Sequence, residues 1–165
     1  MEELEYGLNN PELLNSVDAK NGNYPLHIAA QNGHRTLCAL MVSKGAKVNA
    51  QNGTGTTPLH MALEYDYWFI AKHLMENGAD TSIENQDGNK AGAGIGGEKS
   101  IDDFVPALIT ADTADEVNFA LDKIKEQSGV DKAALVQAGM AKKRSAKDIW
   151  SGDIQTKFME IVKSL

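Results

Sequence analysis

Cysteine, long apolar runs and basic charge are all scarce in this chain of 165 residues, and each shortage excludes something. The single cysteine, Cys38, has no internal partner for a disulfide, so a reducing compartment, the cytoplasm, is expected. The longest apolar run, residues 37–42, falls far short of the roughly 20 residues that a membrane-spanning helix needs. The opening "MEELEYGLNN" is acidic and lacks a basic-then-apolar pattern, which reads against a secretory leader. The net charge is −7, with residues 1–97 contributing −5 and residues 98–165 contributing −2. A chain this acidic is a poor partner for nucleic acid, whose affinity comes mainly from Lys and Arg at phosphates. The one basic cluster, Lys142, Lys143 and Arg144 with Lys147, is expected to be a solvated helix end.

What is present is an ordinary globular composition, 42% apolar and 24% charged, in a chain long enough to bury a core. Self-comparison shows a period of 33. Pro25-Leu26-His27 recurs as Pro58-Leu59-His60, Gly45-Ala46 as Gly78-Ala79, and Gly22 as Gly55 and then Gly88. A fixed period of this length marks a repeat architecture.

Local chemistry at each repeat specifies a helix pair. Thr57 is suited to cap a helix whose first residue is Pro58, where the missing N–H would be unbonded anyway. Leu59, Ala62 and Leu63 then share one apolar face. Asn32-Gly33 turns the first helix back, and Leu37, Leu40 and Met41 repeat the apolar spacing on the second. Ala29, Ala30 and Ala62 let neighbouring helices approach closely. Tyr24 stands where Thr57 does but cannot cap, so the first repeat is expected to begin more loosely. Phe69, Ile70 and Leu74 leave an apolar side that needs cover, expected from residues 98–165. Leu4, Leu8, Leu13 and Leu14 are expected to close the other end.

Thr57-Pro58-Leu59-His60-Met61-Ala62 fills the ankyrin signature T-P-L-H-x-A, and residues 24–29 match it in all but the threonine. Residues 12–91 therefore resemble the ankyrin-repeat family. The fold class implied is mainly α, a short solenoid of helix pairs with β-hairpin or turn connections. The expected domains are 1–97, two good repeats with partial units at both ends, and 98–165, a helical region packed on the repeats as a cap.

The resemblance implies a non-catalytic scaffold that binds another protein through hairpin tips and the concave ends of the first helices. Carried over residue by residue, the candidate protein-binding positions are Lys20, Asn21 and Asn23; Gly53, Thr54 and Thr56; and Gln31, Asn32, Glu64 and Tyr65. Tyr67 and Trp68 map to packed positions and are read as core. His27 and His60 occupy the signature histidine and are read as structural hydrogen-bonding residues.

The stretch "NKAGAGIGGEKS" stands where a third T-P-L-H-x-A belongs. Gly92-x-Gly94-x-x-Gly97 spells a dinucleotide fingerprint, and Lys99-Ser100 suggests the end of a phosphate loop. Glu98 intervenes before the lysine, however, and neither a preceding strand nor a βαβ pattern surrounds the glycines. The stretch is read as a degenerate repeat, because glycine costs about 1 kcal/mol per residue relative to alanine inside a helix.

Beyond it the period vanishes. Ser100 and Asp103 are expected to cap a short helix through Ile101, Phe104 and Leu108 that Pro106 should kink or shorten. Thr113-x-x-Glu116 opens a helix with Val117, Leu121 and Ile124, and Asp131 opens another running to Arg144. A last helix carries Ile154, Phe158, Ile161, Val162 and Leu165. No family is identified for residues 98–165, where an alternative function as an enzyme subunit or small-ligand binder would have to reside, unless it lay in the glycine loop. No chemistry is legible: Cys38 falls on an inner helix face, His34 fits a position of the resembled family, His73 has no ligand-spaced partner on its helix, and Asp102-Asp103 point apart on a helix. No catalytic residue, metal or cofactor is expected.

Overall fold

The computed structural model describes residues 9–165, which fall into two compact units, the first ending at Ile101 and the second running from Asp102 to Leu165. Leu4 and Leu8, expected at the N-terminal end, lie outside the described residues. Leu14 is buried there, whereas Leu13 is exposed.

The first unit contains α1 (Pro11–Leu14), α2 (Pro25–Gln31), α3 (Arg35–Ser43), α4 (Pro58–Glu64) and α5 (Trp68–Glu76). The signature sets how α2 and α4 begin. Thr57 has extended backbone, its hydroxyl accepts the His60 N–H, and its own N–H donates to His60 Nδ1 at 3.1 Å. Tyr24 makes no side-chain cap, as expected, yet its N–H still donates to His27 Nδ1 at 3.3 Å, and its ring stacks on the imidazole at 5.7 Å. The imidazole thus closes the helix entrance with or without the threonine.

Helices α2 and α4 then pack side by side through Ala29, Ala30 and Ala62, all buried, with Leu26 and Leu59 at the centre of one core. The second helices pack behind them. In α3 the buried face is Cys38 and Met41; Leu40, expected inside, is exposed because it lies two positions from Cys38 and faces away. Gly33 turns the chain back with φ of 71°, and a Cβ there would lie 2.6 Å from the Tyr67 ring. Position and contact both require glycine.

The glycine stretch forms a single 3₁₀ turn, Ala91–Ala93, where a third first-helix would begin. It nonetheless packs on α4, with Ala91 buried in the core and Ile95 and Ile101 against it. Trp68 Nε1 donates to the Ile101 carbonyl at 2.8 Å. Cover for the second repeat therefore includes residues of the glycine stretch itself, which the sequence pattern had not suggested.

The second unit contains α6 (Val105–Thr110), α7 (Ala114–Glu126), α8 (Lys132–Ser145) and α9 (Gly152–Ser164). Thr113 caps α7 through the Glu116 N–H, and Asp131 caps α8 by accepting from Ala133 and Ala134. Pro106 sits in the first turn of α6, so the helix is shortened to begin at Val105, leaving Ile101 and Phe104 outside it, and is not kinked. Asp103, not Ser100, accepts the Val105 N–H at its entrance. The unit has its own core, with Leu108, Leu121, Ile124, Leu135 and Ile161 buried. A Cβ at Gly139 would fall 2.3 Å from the Phe158 ring, so glycine in mid-α8 allows α9 to approach.

Lys142 corrects the reading of the basic cluster. It is buried, and its ammonium donates to the carbonyls of Ile109, at 3.2 Å, and Ala111. These carbonyls lie at the C-terminal end of α6, where a cation also meets the negative pole of the helix dipole. Burial holds the ammonium below its ordinary pKa, opposed by Asp112 and Glu116. The exposed remainder of the cluster is Lys143, Arg144 and Lys147.

Candidate functional site

Each connecting loop of the first unit is organised by one short polar side chain. Asp18 accepts the N–H groups of Lys20, Asn21 and Asn23, which holds its carboxyl below the ordinary range. Asn52 accepts from Thr54 and Thr56, and Asn85 from Asp87 and Asn89. The only β pairing among the described residues is an isolated bridge between Glu84 and Lys90, so the loops are turns and not two-stranded hairpins.

The loops stack in a row. The Gly53 N–H donates to the Asn21 carbonyl at 2.9 Å, and the Gln86 N–H donates to the Thr54 carbonyl, also at 2.9 Å. A Cβ on Gly53 would come within 2.8 Å of Asn21 O, so the backbones touch because this position has no side chain. Lys20, Asn21, Gly53 and Thr54 accordingly form an exposed ridge on a rigid row. Asn23 is half-buried, its side-chain oxygen accepting from Asn52 Nδ2 at 2.8 Å. Thr56 does not belong to the surface: it is 2% exposed, its hydroxyl pairs with Thr54, and its carbonyl lies 2.8 Å from His27 Nε2. The periodic pattern places it at a loop position, but the same register puts it under the imidazole of the preceding repeat.

At the ends of the first helices, Gln31 Nε2 reaches the Tyr65 hydroxyl at 3.4 Å. Tyr65 is 46% exposed, and Asn32 is exposed with its amide turned onto the Ile28 carbonyl. Ile28, on α2 and 46% exposed, was not among the candidate positions. It fills the variable x of the signature, a position that by itself does not decide between core and surface. Met61, its counterpart one period later, is buried. Tyr67 is half-buried against the core and Trp68 is buried, as their positions implied.

Glu64 has a different task. Its carboxylate accepts the Gly96 N–H at 3.0 Å. The Ile95 carbonyl receives both Asn85 Nδ2 and Asn89 Nδ2, and Lys99 pairs with Asp66 at 2.8 Å. The glycine loop is thus tied to the second repeat, and a carboxylate occupies the amide that a phosphate would require. Burial pushes the Cys38 thiol up to about 12, far from the thiolate that nucleophilic chemistry needs. Among the described residues, no group of His, Cys, Asp and Glu side chains is placed to hold a metal ion.

A family model of ankyrin repeats, three copies, matches residues 4–85. The repeat half of this chain belongs to the ankyrin-repeat family. An ankyrin repeat protein of Rickettsia bellii (strain RML369-C) is 31% identical over 142 residues, covering 85% of this chain and 57% of its own length. That match necessarily runs past Ile101 into the second unit. Protein phosphatase 1 regulatory subunit 27 of Mus musculus is 39% identical over 64 residues, 39% of this chain and 42% of that protein. The crystal structure of the ankyrin repeat domain of Bcl-3, a member of the IkappaB protein family, superimposes with a TM-score of 0.52 at 30% identity over 55% of this chain and 40% of that one. The chain thus spans little more than half of the Rickettsia relative and less than half of the mouse one.

Ankyrin repeats are generally protein-protein interaction modules. No described helix is long and apolar enough to cross a membrane.

Proposed function

We propose that this chain is a non-catalytic interaction module that binds another protein through the ends of its first helices, with the loop ridge as a polar rim. The observation that carries the reading is the pair Ile28 and Tyr65: two large side chains, each 46% exposed, one on α2 and one at the C-terminal end of α4. Gln31 braces the tyrosine, so its ring is held outward before any partner arrives. An exposed aromatic and an exposed aliphatic residue on neighbouring first-helix segments, in a unit whose loop ridge offers Lys20, Asn21, Gly53 and Thr54, match the residue types of energetic centres and polar rims at protein interfaces. Glu64 and Asn23 support this surface from within the fold, and Asn32 borders it. The name of the mouse relative, a phosphatase regulatory subunit, fits a module that acts through a partner. A buried Cys38 and an acidic chain suit the cytoplasm and a protein partner, not nucleic acid.

Site-specific photocrosslinking tests this. A benzophenone amino acid in place of Ile28 or Tyr65 should trap one discrete partner in cells, while the same probe in place of Lys44 or Asn77, both exposed at the ends of second helices, should not. Equal trapping at all four positions would remove the first-helix surface from the interface.

A further inference from the structure

We propose that the second unit carries a separate docking groove for an acidic peptide segment with an apolar anchor, built along α8. Two adjoining cavities of about 510 and 800 Å³ open on this helix and share Met140 and Arg144. Met140 is 56% exposed, and Val136, one helical turn earlier, lies along the same groove wall. The neighbouring Trp150 is nearly buried but lends its edge to the lining.

Around this apolar strip stand Lys143, Arg144 and Lys147, all exposed. Lys143 reaches only the neutral Gln155 Oε1, at 3.3 Å, and none of the three cations is in an ion pair among the described residues. The single carboxylate in the lining, Asp131, already accepts two backbone N–H groups as the cap of α8. In a chain of net charge −7, unpaired cations gathered around an exposed methionine are a strong segregation of charge. The complementary ligand is acidic. The apolar strip adds a second requirement, a side chain to lie against Met140, whose unbranched thioether adapts to varied shapes.

An anionic lipid surface would meet the same cations, so tighter association with vesicles than with the peptide is one of the outcomes that overturn the proposal. Four cations, Lys132 of the larger cavity included, without an exposed aromatic ring offer little to a nucleic-acid strand.

The test uses the whole chain and a fluorescein-labelled peptide, DEDFEDLD, followed by anisotropy at 50 and 500 mM NaCl. Saturable binding is expected, weakened at least tenfold by the higher salt, by Met140→Ser and by Arg144→Glu. The peptide DEDAEDAD should bind at least tenfold more weakly, and Lys44→Glu, at an exposed second-helix end of the first unit, should change nothing. The substituted side chains are exposed, so melting curves should match the parent. Binding of both peptides alike would reduce the groove to general charge attraction and overturn the proposal. Failure to bind, indifference to Met140→Ser and Arg144→Glu, tighter association with phosphatidylserine vesicles, or dimerisation that these substitutions abolish would each overturn it as well.

Discussion

His27 Nε2 lies 2.8 Å from the carbonyl oxygen of Thr56, 29 residues away, and His60 repeats the contact with Asn89 at 3.0 Å. Each imidazole accepts a backbone N–H at Nδ1, from Tyr24 or Thr57, so its tautomer follows from its partners. A carbonyl can only accept and an amide N–H can only donate, which leaves the proton on Nε2. The signature histidine therefore joins the entrance of its own helix to the loop of the next repeat.

A pH dependence follows. Burial lowers the pKa of both histidines below the ordinary 6.5, and protonation would put a hydrogen on Nδ1 where an N–H already points. The unfolded chain then binds more protons than the folded one between the folded pKa and 6.5, so stability falls as pH drops through that window. The melting temperature should be level between about pH 7 and 8 and decline as pH falls below about 6.5. Asp18 and Asp80 do not obscure this, because their carboxyls are held below 3.8 and titrate lower still. NMR titration is the direct check, and values at or above 6.5 for both histidines would refute it.

The second prediction concerns the end of the repeats. A chain stopped after Gly88 loses Ala91, Ile95 and Ile101 together with the acceptor for Trp68, and should aggregate. A chain stopped after Ile101 keeps them and should melt cooperatively as a monomer. Circular dichroism and size-exclusion chromatography of the two fragments decide the matter. Aggregation of both would assign the missing cover to residues 102–165.

Lys142 supplies the third. Lys142→Met keeps most of the apolar stem but strands the carbonyls of Ile109 and Ala111, and unsatisfied buried polar groups cost about 1–3 kcal/mol. Lys143→Met, on the exposed side of the same helix, should stay within about 0.5 kcal/mol of the parent. Equal effects in urea denaturation would show that the buried contact contributes nothing.

The repeats were legible because their chemistry is periodic. Thr57, His60 and Gly33 each sit where one backbone geometry is required, and the requirement recurs at a fixed spacing. The Lys142 contact was not legible, since a run of Lys and Arg looks the same whether one ammonium turns inward or all face water. Only the meeting of α8 with the end of α6, set by three-dimensional packing, selects that lysine. Pro106 left two outcomes open, a kink or a shorter helix, and its place in the first turn selects the second. In the candidate site, loop tips followed from the period, but Thr56 went inward under His27 and Ile28 outward, and both depend on contacts between repeats that one repeat's sequence does not display.

The last prediction belongs to Tyr65. Its ring is 46% exposed at the C-terminal end of α4, and its hydroxyl receives only the long 3.4 Å bond from Gln31 among the hydrogen bonds described. Removing the ring should therefore leave the core of Leu59, Ala62 and Leu63 intact, and Tyr65→Ala should melt close to the parent. At an interface the same ring would bury large area with little rotamer loss, so its removal should weaken partner binding by about 2 kcal/mol or more, roughly thirtyfold. Ile28→Ala should act in the same direction with a smaller effect, and Gln31→Ala should cost binding only through the freedom it returns to the tyrosine. Calorimetric titration of the crosslinked partner, once purified, measures all three. Full binding by Tyr65→Ala at unchanged stability would show that the first-helix ends are not where this solenoid meets its partner.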